Sequence, residues 1–176
     1  MSASTTEAEE RRYAELQQMA LDFARAGETA SLAAMLEHGL AVNLSDARGN
    51  SLLMLASYHG QHETVRLLLR HGAEVDRRND RGQTPLGGVA FKGDLEIAAL
   101  LLDHGADLEA DNGLGMTPLM FAALFGRTAM VELLQARGAS LARRNRLGLS
   151  GRVLLRLARW WHRLFPRSRA GATDRA

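Results

Sequence analysis

Cysteine is absent from this 176-residue chain, which excludes a disulfide framework, a thiolate zinc site and a cysteine nucleophile together. The N-terminal MSASTTEAEERRYAELQQ has no apolar run behind Arg11 and Arg12. That lack argues against a signal peptide and a twin-arginine export signal, so the expected location is cytoplasmic. Excess positive charge is also missing from most of the chain: residues 1–142 hold 12 basic and 19 acidic side chains, net −7, whereas residues 143–176 hold 10 arginines against Asp174, net +9. A nucleic-acid binder spreads positive charge over a folded face, so nucleic acid is not an expected partner of the body. Only a generic, salt-sensitive contact through Arg143, Arg144, Arg146, Arg152, Arg167 and Arg169 remains open to the tail. With 46% hydrophobic residues, the chain has enough apolar material for a continuous core, and disorder is expected only at its ends.

What is present is glycine at a fixed interval. Gly49, Gly82, Gly115 and Gly148 recur every 33 residues, and Gly27, Gly60, Gly93 and Gly126, Gly39, Gly72, Gly105 and Gly138, and His38, His71 and His104 keep the same step. A self-similar unit of this length signals a stacked array whose neighbours bury one another's flanks.

The physics of one unit reads directly from residues 79–111, NDRGQTPLGGVAFKGDLEIAALLLDHGADLEAD. Thr84 is placed to cap a helix by accepting from an orphan backbone N–H, and Pro85 fits the first turn, where no donor is needed. Leu86, Val89 and Ala90 are expected to face neighbouring units, with Gly93 ending the helix at positive φ. A second helix is predicted to start near Asp94, carry Leu95, Ile97, Ala98, Leu100, Leu101 and Leu102, and stop at Gly105. The polar stretch after it is too short for a third helix and reads as an extended turn.

This unit resembles the ankyrin repeat: Gly82, Thr84-Pro85-Leu86, Gly93, Leu101-Leu102 and Gly105-Ala106 stand at that family's spacing. Residues 112–144 repeat it with Gly115, Thr117-Pro118-Leu119, Ala122-Ala123, Gly126, Leu133-Leu134 and Gly138-Ala139. Residues 46–78 repeat it with Gly49, Ser51-Leu52-Leu53, Ala56, Gly60, Leu68-Leu69 and Gly72-Ala73. The resemblance implies an all-α solenoid of helix-turn-helix units joined by β-hairpin-like turns. The expected layout is a polar extension at 1–12, then a repeat domain over 13–165. That domain comprises a degenerate N-terminal cap repeat at 13–45, full repeats at 46–78, 79–111 and 112–144, and a C-terminal cap helix at 145–165. A disordered basic tail follows at 166–176. In the cap repeat Glu9, Glu10, Arg11, Arg12 and Glu15 give the first helix a polar outer side. Near the other end Arg159 stands where the helix-ending glycine belongs, which predicts one fused helix from about 151 to 165. High Ala, Arg and Gly content leans toward a bacterial source.

Carried onto this chain, the resemblance implies a non-enzymatic adaptor or inhibitor that binds another protein through turn tips and a concave face. The residues so placed are Arg48, Asn50, Tyr58 and His59; Arg81, Gln83, Phe91 and Lys92; Leu114, Met116, Leu124 and Phe125. Tyr58, Phe91 and Leu124, 33 residues apart, are expected to stack as a row. No small-molecule substrate, cofactor or metal is expected. The three repeat histidines would lie about 10 Å apart, too far to share one zinc, and are expected to bond helix-terminal carbonyls instead. His59 and His62 lack a convincing acidic co-ligand. Asp76, Asp80, Asp107 and Asp111 fall in turns, where they bond local backbone. The glycine-rich Gly82–Gly88 stretch has no phosphate-binding lysine.

The segment GRVLLRLARWWHRLF, residues 151–165, places Arg152, Arg156, Arg159 and Arg163 within about 60° on a helical wheel. Leu154, Leu157, Trp160, Trp161, Leu164 and Phe165 fill much of the opposite arc. One expectation is a cap that covers the last repeat around Leu119, Val131 and Leu134. The alternative is a peripheral membrane-associated protein whose Arg152, Arg156, Arg159, Trp160, Trp161 and Arg163 contact an anionic bilayer. Pro166 should end the helix.

Overall fold

A computed structural model describes the backbone of residues 3–164 and the side chains of Glu7 and residues 9–160. The segment 165–176 and the side chains of Trp161, Arg163 and Leu164 lie outside the described residues. Among the described residues the chain forms α1 (Ala3–Ala26), α2 (Thr29–Glu37), α3 (Leu52–Tyr58), α4 (His62–Arg70), α5 (Pro85–Lys92), α6 (Leu95–Asp103), α7 (Pro118–Leu124), α8 (Thr128–Ala136) and α9 (Gly151–Leu164). Odd-numbered helices pack in succession as one row, α1 on α3 through α7 on α9, and α2, α4, α6 and α8 form a second row beside it. This is the all-α repeat solenoid that the resemblance implies.

Local chemistry sets each helix start. Ser51, Thr84 and Thr117 are extended N-caps whose hydroxyls accept from the Met54, Gly87 and Met120 backbone nitrogens, and Pro85 and Pro118 fill the first turns. Asp94 caps α6 by accepting from Ile97 N at 3.0 Å. Gly93 ends α5 at φ 90°, in the left-handed region that a side chain disfavours.

The core consists of columns repeating at the 33-residue step. Leu52, Leu86 and Leu119 form one column, offset by one residue at its first step, and Leu68, Leu101 and Leu134 form another. All six are fully buried, and truncating any one to alanine should cost about 2–5 kcal/mol.

Helix α1 is longer than the sequence pattern suggests. It runs unbroken from Ala3 through the stretch assigned to a polar extension, because no glycine or proline precedes Gly27 to stop it. At the other end α9 is a single 14-residue helix, the fusion expected when Arg159 replaces a terminating glycine.

Between helices the turns project as fingers. Each is pinned by a residue whose side-chain oxygen accepts from backbone nitrogens two and four positions on. Asp46 takes Arg48 and Asn50, Asn79 takes Arg81 and Gln83, and Asn145 takes Leu147 and Leu149, at 2.9 to 3.0 Å. The third finger differs. Asp111, one residue earlier than the repeat predicts, accepts from Gly113 and Gly115, and Gly113, Leu114 and Gly115 all have positive φ.

Candidate partner-docking groove

A groove of about 920 Å³ opens along the α3, α5 and α7 row beneath the first two fingers. Its floor follows the 33-residue step through Leu55, Gly88 and Phe121, and the missing side chain at Gly88 leaves a notch in the middle. Around that floor stand Arg48, Asn50, Tyr58, His59, Arg81, Gln83, Phe91 and Phe125, eight of the twelve surface residues expected from the sequence.

The aromatic contacts run at a different step from the expected row. Phe91 meets Phe125 edge to face, with ring centroids 4.5 Å apart and planes at 81°. The Lys92 ammonium lies 4.7 Å from the centroid of Tyr58, within cation–π range. Both contacts therefore link a residue to the one 34 positions later, and the predicted stack of Tyr58, Phe91 and Leu124 is not formed. Leu124 ends α7 and is exposed away from the groove, whereas Phe125, the C-cap, folds back onto Phe91.

Two more of the expected surface residues lie outside the groove lining. Met116 does not line the groove: it is half-buried against the core, its sulfur 3.2 Å from the Asn145 amide nitrogen. Leu114 stands at the third fingertip with 61% of its surface exposed, outside the groove lining. Sequence reasoning in turn missed Leu55, Gly88 and Phe121, which the same 33-residue step would have aligned, and Asp46 and Asp80 on the rim.

The rim carries both signs. Partial burial pushes the Asp46 carboxyl up, but the Asn50 amide, the Arg48 and Asn50 backbone N–H groups and the nearby Arg25 charge outweigh it and hold Asp46 below the usual range. Arg25 Nη2 lies 3.1 Å from the Asp46 carboxylate, tying α1 to the first finger. Asp80 N donates to Arg48 O at 3.1 Å and Arg146 N to Leu114 O at 2.9 Å. Between the second and third fingers Arg78 instead donates to the Gly82 and Asp111 carbonyls. The guanidinium groups of Arg48 and Arg81 make no ion pair among the described residues and so are available to an incoming group.

Two of the three repeat histidines bond helix-terminal carbonyls as expected, whereas the His71 ring makes no hydrogen bond among the described residues. His38 and His104 place Nδ1 at 2.7 and 2.8 Å from the Ala34 and Leu100 carbonyls, each on the last turn of its helix. His62 lies 3.1 Å from Asp94 and 3.6 Å from Glu96 across α4 and α6. Among the described residues no group of three or more potential ligands converges on a metal position. Of the turn aspartates, Asp107 and Asp111 bond local backbone, whereas Asp76 reaches the next repeat and accepts from Asp107 N at 2.9 Å.

Helix α9 packs on α7 through Gly151, Leu154, Leu155 and Ala158, while Arg152, Val153, Arg156, Leu157, Arg159 and Trp160 are exposed. The apolar arc of the wheel is thus divided: Leu154 is buried, whereas Leu157 and Trp160 face outward. No described helix is long and apolar enough to cross a membrane.

Comparison with known proteins agrees with this architecture. The pattern described as ankyrin repeats (3 copies) matches residues 16–79 and 53–145. A Pseudomonas aeruginosa protein named as an ankyrin repeat protein, PA3287, is 54% identical over 46 residues, which is 26% of this chain and 27% of that protein. The chain therefore aligns with about a quarter of that relative's length.

Proposed function

Because the chain belongs to the ankyrin-repeat family, whose repeats mediate protein–protein interaction, we propose that it is a non-enzymatic adaptor or inhibitor that docks a partner protein in this groove. The observation that carries the reading is the Phe91–Phe125 pair. Two half-exposed rings held edge to face, beside a notch at Gly88, offer apolar area that water leaves when a partner covers it. Arg48 and Arg81 on the rim supply charge that favours acidic groups flanking an apolar anchor. The fingers are bridged to one another by backbone hydrogen bonds and by Arg78, so docking requires little rearrangement and little ordering cost.

The test is affinity capture from cytosol with the intact protein beside a Phe91→Ala/Phe125→Ala double variant, followed by a dissociation constant for the captured protein. Each ring should contribute about 2 kcal/mol, roughly a thirtyfold change in affinity. Thermal melting should change little, since neither ring belongs to the buried core. Equal capture by both forms would refute the groove as the docking surface.

A further inference from the structure

Helix α9 presents three bands around its axis. Gly151, Leu154, Leu155 and Ala158 face the repeats, and a Cβ on Gly151 would stand 2.7 Å from Leu119, so this face is in close contact. At about 100° per residue, Arg152, Arg156 and Arg159 occupy a second band, and Val153, Leu157 and Trp160 a third beside it. These two bands together span the side opposite the repeats. Leu157 is 48% and Trp160 58% exposed.

The charge on this side is unneutralised. Arg143 and Arg146 are engaged with Glu109 and Asp111, but Arg152, Arg156 and Arg159 make no ion pair among the described residues. The sequence offers no acidic residue from Arg143 until Asp174.

We propose that the outer side of α9 docks on a bilayer bearing anionic headgroups. Arginines would meet lipid phosphates while Val153, Leu157 and Trp160 enter the interfacial zone, the amphipathic division that a helix lying in that plane requires. The outer side of a helix is a convex ridge, and a flat bilayer reaches both bands at once. A second copy docked α9 to α9 would set two unneutralised arginine rows against each other. The net −7 of residues 1–142 repels the same bilayer and orients the molecule with α9 toward it. No α9 residue lines the groove, so both surfaces can be occupied together.

The experiment is co-sedimentation of the full chain with phosphatidylcholine vesicles, with and without phosphatidylglycerol. Binding should require phosphatidylglycerol and weaken with salt. A surface arginine contributes about fivefold to partitioning, so Arg152→Gln/Arg156→Gln/Arg159→Gln should lower it on the order of 100-fold. Leu157→Ser/Trp160→Ser should lower it at least about tenfold with an unchanged melting temperature. The Phe91→Ala/Phe125→Ala variant should bind vesicles like the parent, which separates this proposal from groove docking. Equal binding to both vesicle types, or undiminished binding of the arginine variant, would overturn it. So would a sharp fall in melting temperature of the Leu157/Trp160 variant, or lipid-free dimerisation abolished by the same substitutions.

Discussion

The side-chain oxygen of Asn112 lies 2.7 Å from the backbone nitrogen of Thr84 and 3.0 Å from its hydroxyl, joining the start of one repeat to the helix cap of the repeat before it. Its amide donates to Ala110 O at 2.9 Å, so this buried side chain uses both its ends. Asn112→Ala should therefore cost about 1–3 kcal/mol by stranding the Thr84 donor. The same asparagine accounts for Gly87, where a Cβ would come within 2.0 Å of the Asn112 oxygen, whereas a Cβ at Gly88 meets only Tyr58 at 3.5 Å. Adjacent glycines in α5 should thus respond with opposite sign: Gly87→Ala lowers the melting temperature, and Gly88→Ala raises stability by up to about 1 kcal/mol through helix propensity. Thermal melts of the three variants check this, and a stabilising Gly87→Ala would contradict it.

Much of this fold was legible because its determinants are local and periodic. The Thr84 cap, the Gly93 stop and the fused α9 each follow from residues within one turn of the feature. The diagonal contacts were not legible: that Phe91 meets Phe125 rather than Leu124 depends on how neighbouring helices are offset, which a common repeat number does not encode. Nor was the exchange of roles between Asp111 and Asn112, since both residues can pin a turn and only the packed partner Thr84 distinguishes them. The division of the apolar arc of α9 likewise depends on how deeply the helix seats on α7.

Leu114 has φ 56°, the only non-glycine residue with positive φ among those described. A left-handed leucine costs about 1–2 kcal/mol, and asparagine tolerates that conformation far better. Leu114→Asn should raise stability by about 1 kcal/mol, measured by urea unfolding. A loss of stability would mean that exposed leucine contacts outweigh the strain.

Ser57 carries a buried hydroxyl without a hydrogen-bond partner. The next two repeats place Ala90 and Ala123 at this position, both fully buried, so the site accommodates a methyl group without rearrangement. Ser57→Ala should gain about 1 kcal/mol by removing an unsatisfied polar group and adding helix propensity. A destabilised variant would show that the hydroxyl is satisfied after all.

Three aspartates give the protein a signed response to acid. Burial pushes Asp46 up, but its hydrogen bonds and Arg25 prevail and lower it; in Asp111 desolvation is likewise outweighed by the Gly113 and Gly115 N–H groups with Arg146 and Arg78. A depressed folded value means that the stabilisation is present above the unfolded value, about 3.9, and is lost as pH falls through the lower folded one. Asp76 is raised, first by burial and then by the Asp107 charge, against the opposing Asp107 N–H and Arg78. Its contribution is full below about 3.9 and is lost as pH rises through the raised value. Asn79 and Asn145 pin their fingers with neutral amides, so Asp46→Asn keeps the turn while removing the charge and the second oxygen that accepts from Arg25 and the Asn50 amide. Melting temperatures should therefore fall modestly for Asp46→Asn at pH 7 and rise for Asp76→Asn; the Asp76 difference should vanish below about pH 3.9, and the Asp46 difference only in stronger acid, once pH has passed its lowered folded value. Differences that persist unchanged in acid would assign both effects to packing rather than to charge.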